Sequence, residues 1–521
     1  MTAAPHQPHE AHAYDNKFAE IAVLVGSMAG VLMQALDTTI ANVALPYMKG
    51  SLAASNDQIT WVLTSYIIAA AIMTAPVGWM AARFGKKNLF VTALAGFTIA
   101  SMACGAAQSL EEIVLFRLIQ GCFGAALLPL SQAVMLDMYP PQKRGQMMAI
   151  WGMGVMLGPI LGPTLGGYLT DAYDWRWVFY INVPVGILSV AALTIFFKDT
   201  ARDHTLKFDW FGFSALSVGL ASLQLMLDRG TTKGWFSSSE IVIEAIVAGI
   251  ALYLFLVHMF TAKKPFIPVA IFKDRNFAGG LLLMFTMGLV LLASSALLSP
   301  YLQNLSGYSV SQTGLLMVPR ALGTMFAMMF AGRLTMKMDP RLLMTAGACL
   351  LVWSMWAMTG WTPSISIMTI SVVSFIQGVG MGLIFVPMNM MAFATLSPQL
   401  RTDGAGLTNL VRNIGSAFGV SITTTVLASS TQTIHAQLSQ FAAPFNRALG
   451  VNAESLYMNP LIPFGMGSLN GLIQYRSMVQ AYANDFLFMF YISLPVFLVI
   501  WLMKRPVFAA AAPKPEIEVV D

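Results

Sequence analysis

Apolar residues run along this chain in blocks of about twenty, separated by short polar connections that hold most of the charge. At 1.5 Å rise per residue, a block of that length crosses a hydrocarbon layer of about 30 Å as a helix. The pattern predicts fourteen spans, at 21–45, 58–81, 88–108, 112–136, 147–169, 176–197, 210–228, 241–262, 277–300, 312–334, 342–361, 365–395, 404–429 and 484–503. Between the last two lies the longest connection, 430–483, and short polar tails occupy 1–20 and 504–521.

Composition agrees. Hydrophobic residues make up 57% and charged residues 10%, against roughly 25% charged in a soluble chain. A soluble surface cannot be built from so few charges, so the 521 residues form one all-α polytopic assembly in a lipid bilayer. The net charge of +5 does not point to nucleic acid, because the basic residues are scattered among short loops without a basic stripe. Cys104, Cys122 and Cys349 all fall inside apolar blocks, with neither disulfide nor metal spacing. His6, His9 and His12 sit in a polar tail that reads as mobile and cytosolic, without a signal-peptide pattern.

Lys and Arg divide unevenly between alternate connections, twenty against six. The positive-inside rule then places both termini and the basic loops in the cytoplasm. Internal repetition is a second signal. Leu118–Gly121 recurs as Phe375–Gly378, Pro141–Arg144 as Pro398–Arg401, and Gly158 and Gly162 as Gly415 and Gly419, all 257 residues apart. Gly78, Arg83 and Lys87 recur as Gly332, Lys337 and Arg341 at 254. Residues 21–197 and 277–503 therefore read as two six-helix bundles, with the extra spans near 210–228 and 241–262 in a linker, 198–276. Two repeated halves with a site between them are a transporter arrangement.

Several motifs occur in a fixed order: Leu36–Pro46 (LDTTIANVALP) in span one, then Gly78–Lys87 (GWMAARFGKK) with Gly78, Arg83, Gly85, Lys86 and Lys87. Arg117, Gln120 and Gly121 follow in span four, and Gly154, Gly158, Pro159, Gly162, Pro163, Gly166 and Gly167 in span five. His435–Leu438 and Pro444–Asn446 mark the long connection. Together these resemble the major facilitator superfamily, specifically its fourteen-span drug:proton antiporters of the EmrB type. The resemblance implies a major facilitator fold in a bacterial inner membrane and protons as the coupling ion, with no other cofactor. It also implies a cytoplasmic gate motif at Gly78–Lys87, an antiporter motif in span five, and a periplasmic adaptor (membrane fusion) protein with an outer-membrane channel. One position departs: Ala82 stands where the gate motif usually has an acid, which removes the carboxylate of a charge latch.

Asp37 lies inside span one, about 12 Å from its predicted outer end at 1.5 Å per residue. A carboxylate there costs about 2.5–3.5 kcal/mol to insert, so it must face a cavity or a partner. Arg117, at comparable depth in span four, is the candidate partner, and the two are the proton-coupling candidates. A static structural ion pair is the alternative reading. Gln34, Asn42, Gln120, Arg320, Asn409, Arg412 and Asn413 are candidates for the substrate cavity, with snorkelling to an interface the plain alternative for Arg320. The span-five glycines recur at four-residue spacing and permit close helix approach, while Pro159 and Pro163 invite a bend. Many of the 36 Met serve as adaptable apolar lining or as lipid-facing filler.

No GxxxxGK[ST] phosphate loop is present, so transport must draw on a gradient. The favoured function is proton-coupled export of hydrophobic and amphipathic compounds by alternating access. Export of one metabolite, siderophore or fatty acid on the same scaffold is the alternative. Uptake of a polar nutrient is disfavoured by the scarcity of buried polar groups, an enzyme by the lack of clustered His, Asp or Glu, and a receptor by the lack of a soluble module. With Arg117, Arg320 and Arg412 against one deep acid, Asp37, neutral or weakly acidic amphipaths are expected over dications. Single cysteines placed within 230–239 and 435–475 are expected to react with an impermeant reagent from outside, and cysteines within 200–207 to stay unlabelled. Labelling of both sets from one side would overturn the span count.

Overall fold

Regular structure begins where the sequence places helix caps. Ser109, Asp209, Asp274, Ser309, Asp339 and Ser366 each accept a backbone N–H of the first turn they precede, worth about 1 kcal/mol per cap. The computed structural model describes residues 16–199, 202–263, 265–335, 337–442 and 463–504, and all regular elements among them are helical. The first half contains α1 (Lys17–Ser51), the short α2 (Asn56–Ile59), and α3 (Trp61–Thr74) and α4 (Val77–Phe84), which meet at a 57° bend. It continues through α5 (Lys86–Ala106), α6 (Leu110–Gly124), α7 (Leu127–Met138), α8 (Pro141–Ala172), α9 (Trp177–Tyr180) and α10 (Asn182–Phe196). Next come α11 (Trp210–Lys233) and α12 (Ser239–Thr261), which bury the smallest share of their surface and present Ile243, Ile246, Ile250 and Tyr253 outward. The second half is α13 (Ala270–Lys273), α14 (Arg275–Pro300), α15 (Val310–Leu334), α16 (Pro340–Thr359), α17 (Ile367–Ala394), α18 (Arg401–Ser439), α19 (Pro463–Ser493) and α20 (Pro495–Leu502).

Among the described residues, eleven helical segments are long and apolar enough to cross a membrane, twelve with the bent α3–α4 pair. α8 and α18, at 32 and 39 residues, are also long enough to cross, and both are rich in glycine and polar residues. The reason is their position. α8 packs on α1, α15 and α17, and α18 on α14, α19, α11 and α4, so neighbouring helices rather than lipid surround them.

The repeat is visible in the packing. A methyl group at Gly121 would strike the Tyr66 carbonyl, and one at Gly378 the Arg320 carbonyl, the same contact in each half at offsets of 257 and 254. Gly158 and Gly162 lie on α1 at Ala35 and Thr39; Gly415 and Gly419 lie on α14 at Phe285 and Leu289. Gly154 and Gly166 meet Met28 and Ile40, while Gly167 faces open space. Thr39 Oγ1 donates to the Gly158 carbonyl at 3.1 Å across this contact. Pro159 and Pro163 do not interrupt α8.

Three expectations change. The predicted straight span 58–81 is broken at Ala75–Pro76, where proline withholds a backbone donor. The connection expected over 430–483 is largely helical: α18 runs to Ser439, a 3₁₀ turn covers Gln440–Ala442, and α19 begins at Pro463 rather than near 484. Apolar patterning sees only the part of a helix in hydrocarbon, and these polar ends extend past it. α1 likewise extends to Ser51, which puts Asp37 about 21 Å from its end. The histidines of the N-terminal tail and Pro444–Asn446 lie outside the described residues.

Candidate functional site

Asp37 sits near the middle of α1 and Arg117 two turns into α6, and the two are enclosed together, 0% and 1% exposed. Arg117 Nη1 donates to Asp37 Oδ2 at 2.6 Å and to Gln120 Oε1 at 2.9 Å, and its Nε donates to the Val62 carbonyl at 3.1 Å. The guanidinium lies 4.2 Å from the centre of the Tyr66 ring, with Phe179 on another side at 5.7 Å. Gln120 Nε2 returns a bond to Asp37 Oδ1 at 2.9 Å, and Asn182 Nδ2 approaches the same oxygen at 3.4 Å. Sequence reading paired Asp37 with Arg117; Gln120, expected in the substrate cavity, instead joins this pair. Sequence reading missed Asn182 and Tyr66, whose signal is a polar atom inside an otherwise apolar block.

This is a charge-neutral unit whose two ions are held by four helices. Such a pair is sustained only when every lone pair and proton is answered, and removing one partner costs about 3–5 kcal/mol. Adding a proton to Asp37 leaves Arg117 as a lone cation in low dielectric, a state relieved only if Arg117 moves or meets water. Protonation and displacement of α6 against α1 are thereby coupled.

A second feature lies between the halves. Met156 of α8, Met284, Met287 and Leu291 of α14, Met328 of α15, Met381 and Phe385 of α17, and Arg412 of α18 surround a small hollow of about 30 Å³. Arg412 has no hydrogen-bond or ion-pair partner among the described residues, so a lone cation faces an apolar, adaptable wall. Of the seven cavity candidates, Arg412 alone lines this hollow. Arg320 is half-buried nearby, donating to Ser294 Oγ at 3.2 Å and Ser295 Oγ at 2.6 Å rather than snorkelling. Gln34 accepts from the Leu128 N–H at 3.2 Å, Asn42 is exposed, and Asn413 is half-buried. A larger, more open hollow of about 590 Å³ lies beside Arg83, Phe84, Arg202 and His204. It belongs to the first half and its linker, so motion between halves would not switch its access.

Below the methionine hollow the halves are joined at the end that carries the basic loops. Gln132 Nε2 donates to Asn389 Oδ1 at 2.9 Å, and these two residues are themselves 257 apart. Asn409, expected in the cavity, instead reaches Gln132 Oε1 at 3.5 Å. Trp151 stacks on Phe385 at 6.1 Å, and Asp137 pairs with both Lys86 and Arg401, the latter at 3.4 Å across the seam. Asp403 packs on Gly78, and Arg83 donates to the His204 carbonyl. A charge latch therefore exists despite Ala82: Asp137 supplies a carboxylate from a different helix. Gly85 has φ of 88°, the conformation that turns α4 into α5, and Lys87 stays half-buried beside it. The sequence reading of one deep acid also needs correction, because Asp485 of α19 is fully buried.

Residues 27–420 match the family profile of the Major Facilitator Superfamily. The chain belongs to that superfamily, and is a multi-pass transporter of it. Over 483 residues it is 36% identical to the multidrug export protein EmrB of Escherichia coli (strain K12), covering 91% of this chain and 93% of that one. It is 33% identical to the fatty acid resistance protein FarB of Neisseria gonorrhoeae, over 91% and 94%. The fold matches the human organic anion transporter MFSD10 (TETRAN), with TM-score 0.57 at 15% identity over 91% of this chain and 99% of that chain. The proton:xylose symporter XylE gives TM-score 0.57 at 14% identity, over 92% and 95%.

Truncating Arg117 to Ala is expected to lower unfolding free energy by about 3–5 kcal/mol, because Asp37 is left buried with only amide donors. Arg117→Lys restores charge but not the fork, and is expected to recover part of that loss. Thermal denaturation of detergent-purified protein measures both. Equal stability of Arg117→Ala and wild type would refute the enclosed-pair account.

Proposed function

We propose that this chain is a proton-coupled antiporter that exports hydrophobic and amphipathic compounds, a multidrug efflux transporter of the EmrB type. The observation that carries it is the enclosed Asp37–Arg117 pair, a protonatable unit that cannot change charge without moving helices. The protein crosses a bacterial inner membrane fourteen times, with both termini and the basic end in the cytoplasm. The seam at Gln132–Asn389 and Asp137–Arg401 is the closed cytoplasmic gate. A proton reaching Asp37 from outside breaks its pairing with Arg117, α6 shifts against α1, and the halves rock on their glycine contacts to open that gate. One charge crossing 100 mV supplies about 2.3 kcal/mol, roughly 50-fold accumulation.

Substrate enters the methionine hollow as the rocking halves widen it; there flexible apolar lining accepts varied shapes and Arg412 favours a neutral or weakly acidic group. The unpaired Arg412 and the relative named for fatty acid resistance also support a narrower reading, export of carboxylate-bearing amphipaths such as fatty acids. An adaptor protein and an outer-membrane channel complete the path across the envelope. Gentle solubilisation of native membranes is expected to recover such an adaptor with the chain, and recovery of the chain alone would remove this part.

Flux of dansyl-undecanoic acid in proteoliposomes, normalised to folded transporter, tests the core of the proposal. Asp37→Asn keeps size and hydrogen bonding but cannot cycle charge. Gradient-driven export should fall to background while binding stays within about threefold. Arg412→Ala should weaken binding of the acid about tenfold and leave its methyl ester unaffected, the loss of one charge-assisted contact. Near-normal coupled flux by Asp37→Asn would sink the assignment.

A further inference from the structure

Asp37 and Asp485 are the two fully buried carboxylates among the described residues, and their surroundings are opposite. Asp37 receives three donors; among the described residues neither oxygen of Asp485 has a hydrogen-bond partner or a cation. Asp485 lies on α19 between Tyr482 and Phe486, both of which pack on Tyr301, with ring centres 5.3 and 6.3 Å away. Phe486 also meets Trp361 at 6.2 Å. Tyr301 opens the π-helical turn Tyr301–Leu305 that follows Pro300 at the outer end of α14, and its hydroxyl too is buried without a partner. Single π turns in helical segments occur frequently at functional sites.

No charge reaches Asp485 from the elements around it. On α14, Arg275 donates to the Leu502 carbonyl at the far end of the bundle, and Arg341 starts α16 at that same end. On α18, Arg401 pairs with Asp137, Asp403 packs on Gly78, Arg412 faces the methionine hollow and His435 bonds Asn470. On α19 itself Arg476 is exposed, Tyr491 is exposed, and Tyr475 donates to the Leu305 carbonyl at 3.4 Å. Tyr482 and Tyr301 are the titratable neighbours, and neither supplies positive charge. An ionised carboxylate so placed costs several kcal/mol; the neutral acid avoids most of that. Asp485 is seventeen residues before Leu502, about 25 Å from the cytoplasmic end and hence close to outer water behind the π turn.

We propose that Asp485 is a second protonation site of this transporter, exchanging one proton with external water through the turn at Tyr301–Leu305. When that turn opens, water reaches the acid and its oxygen gives the proton to water; when it closes, the carboxylate takes one proton back. Closure of the outer end of the second half is thereby linked to external pH. Only the word external rests on the orientation proposed above.

Infrared difference spectra of the full-length protein in nanodiscs, recorded across a pH titration, test the site. A protonated-carboxyl C=O band should be present in wild type and in Asp37→Asn, and absent in Asp485→Asn. Asp485→Glu should shift the band, which serves as the readout if the Asn variant does not fold. Hydrogen exchange at Tyr301–Leu305, corrected for intrinsic rates, should rise about tenfold per pH unit above the titration midpoint in wild type, as release of one proton requires. It should be flat in Asp485→Asn. An unchanged band or an unchanged pH slope in Asp485→Asn would overturn the proposal. Neither readout uses flux, so absence of proton-coupled transport in wild type would defeat the antiport reading and leave this one standing.

Discussion

Two opposite charges with almost no exposure to solvent govern the first half of this protein. Asp37 and Arg117 persist in hydrocarbon because the guanidinium spends its donors on Asp37, Gln120 and the Val62 carbonyl, and because Gln120 and Asn182 complete the carboxylate. Those partners come from α1, α3, α6 and the start of α10, so the pair fixes how these helices meet. Gly121 is the steric condition for it: a side chain there would strike the Tyr66 carbonyl and push α6 away from α3.

The second half repeats the backbone contact and changes the chemistry. Gly378 meets the Arg320 carbonyl as Gly121 meets that of Tyr66, but Arg320 bonds only to the hydroxyls of Ser294 and Ser295. Among the described residues Arg412 has no anion either. One half thus carries a neutralised pair, and the other carries two cations without carboxylates close to the methionine hollow.

The added pair α11–α12 is not passive filling. Thr64 of α3 donates to Asp228 of α11, and Thr231 and Trp235 reach Thr425 of α18, each at 3.0 Å. α11 therefore touches both halves away from the basic end, where Gln132–Asn389 and Asp137–Arg401 join them directly. α12 lies on its outer side with a lipid-facing apolar surface.

Apolar blocks determined by themselves the helical class, and the 257-residue repeat pointed to two halves with an added pair, because insertion in lipid depends on local composition and length. Asp37 and Arg117 were legible for the same reason: a charge in an apolar block demands a partner. Helix ends were not, since polar turns of α18 and α19 extend past hydrocarbon without an apolar signature. Which candidates share a cavity was decided only in three dimensions. Asn409 and Arg412 are three residues apart on one helix, yet one joins the seam at Gln132 and the other faces the methionine hollow. Asp137 supplied from another helix the acid missing at Ala82, and Asp485 was left without a partner among the described residues. Such outcomes depend on which faces of distant helices meet, a property of the packed tertiary structure that no local stretch of sequence contains.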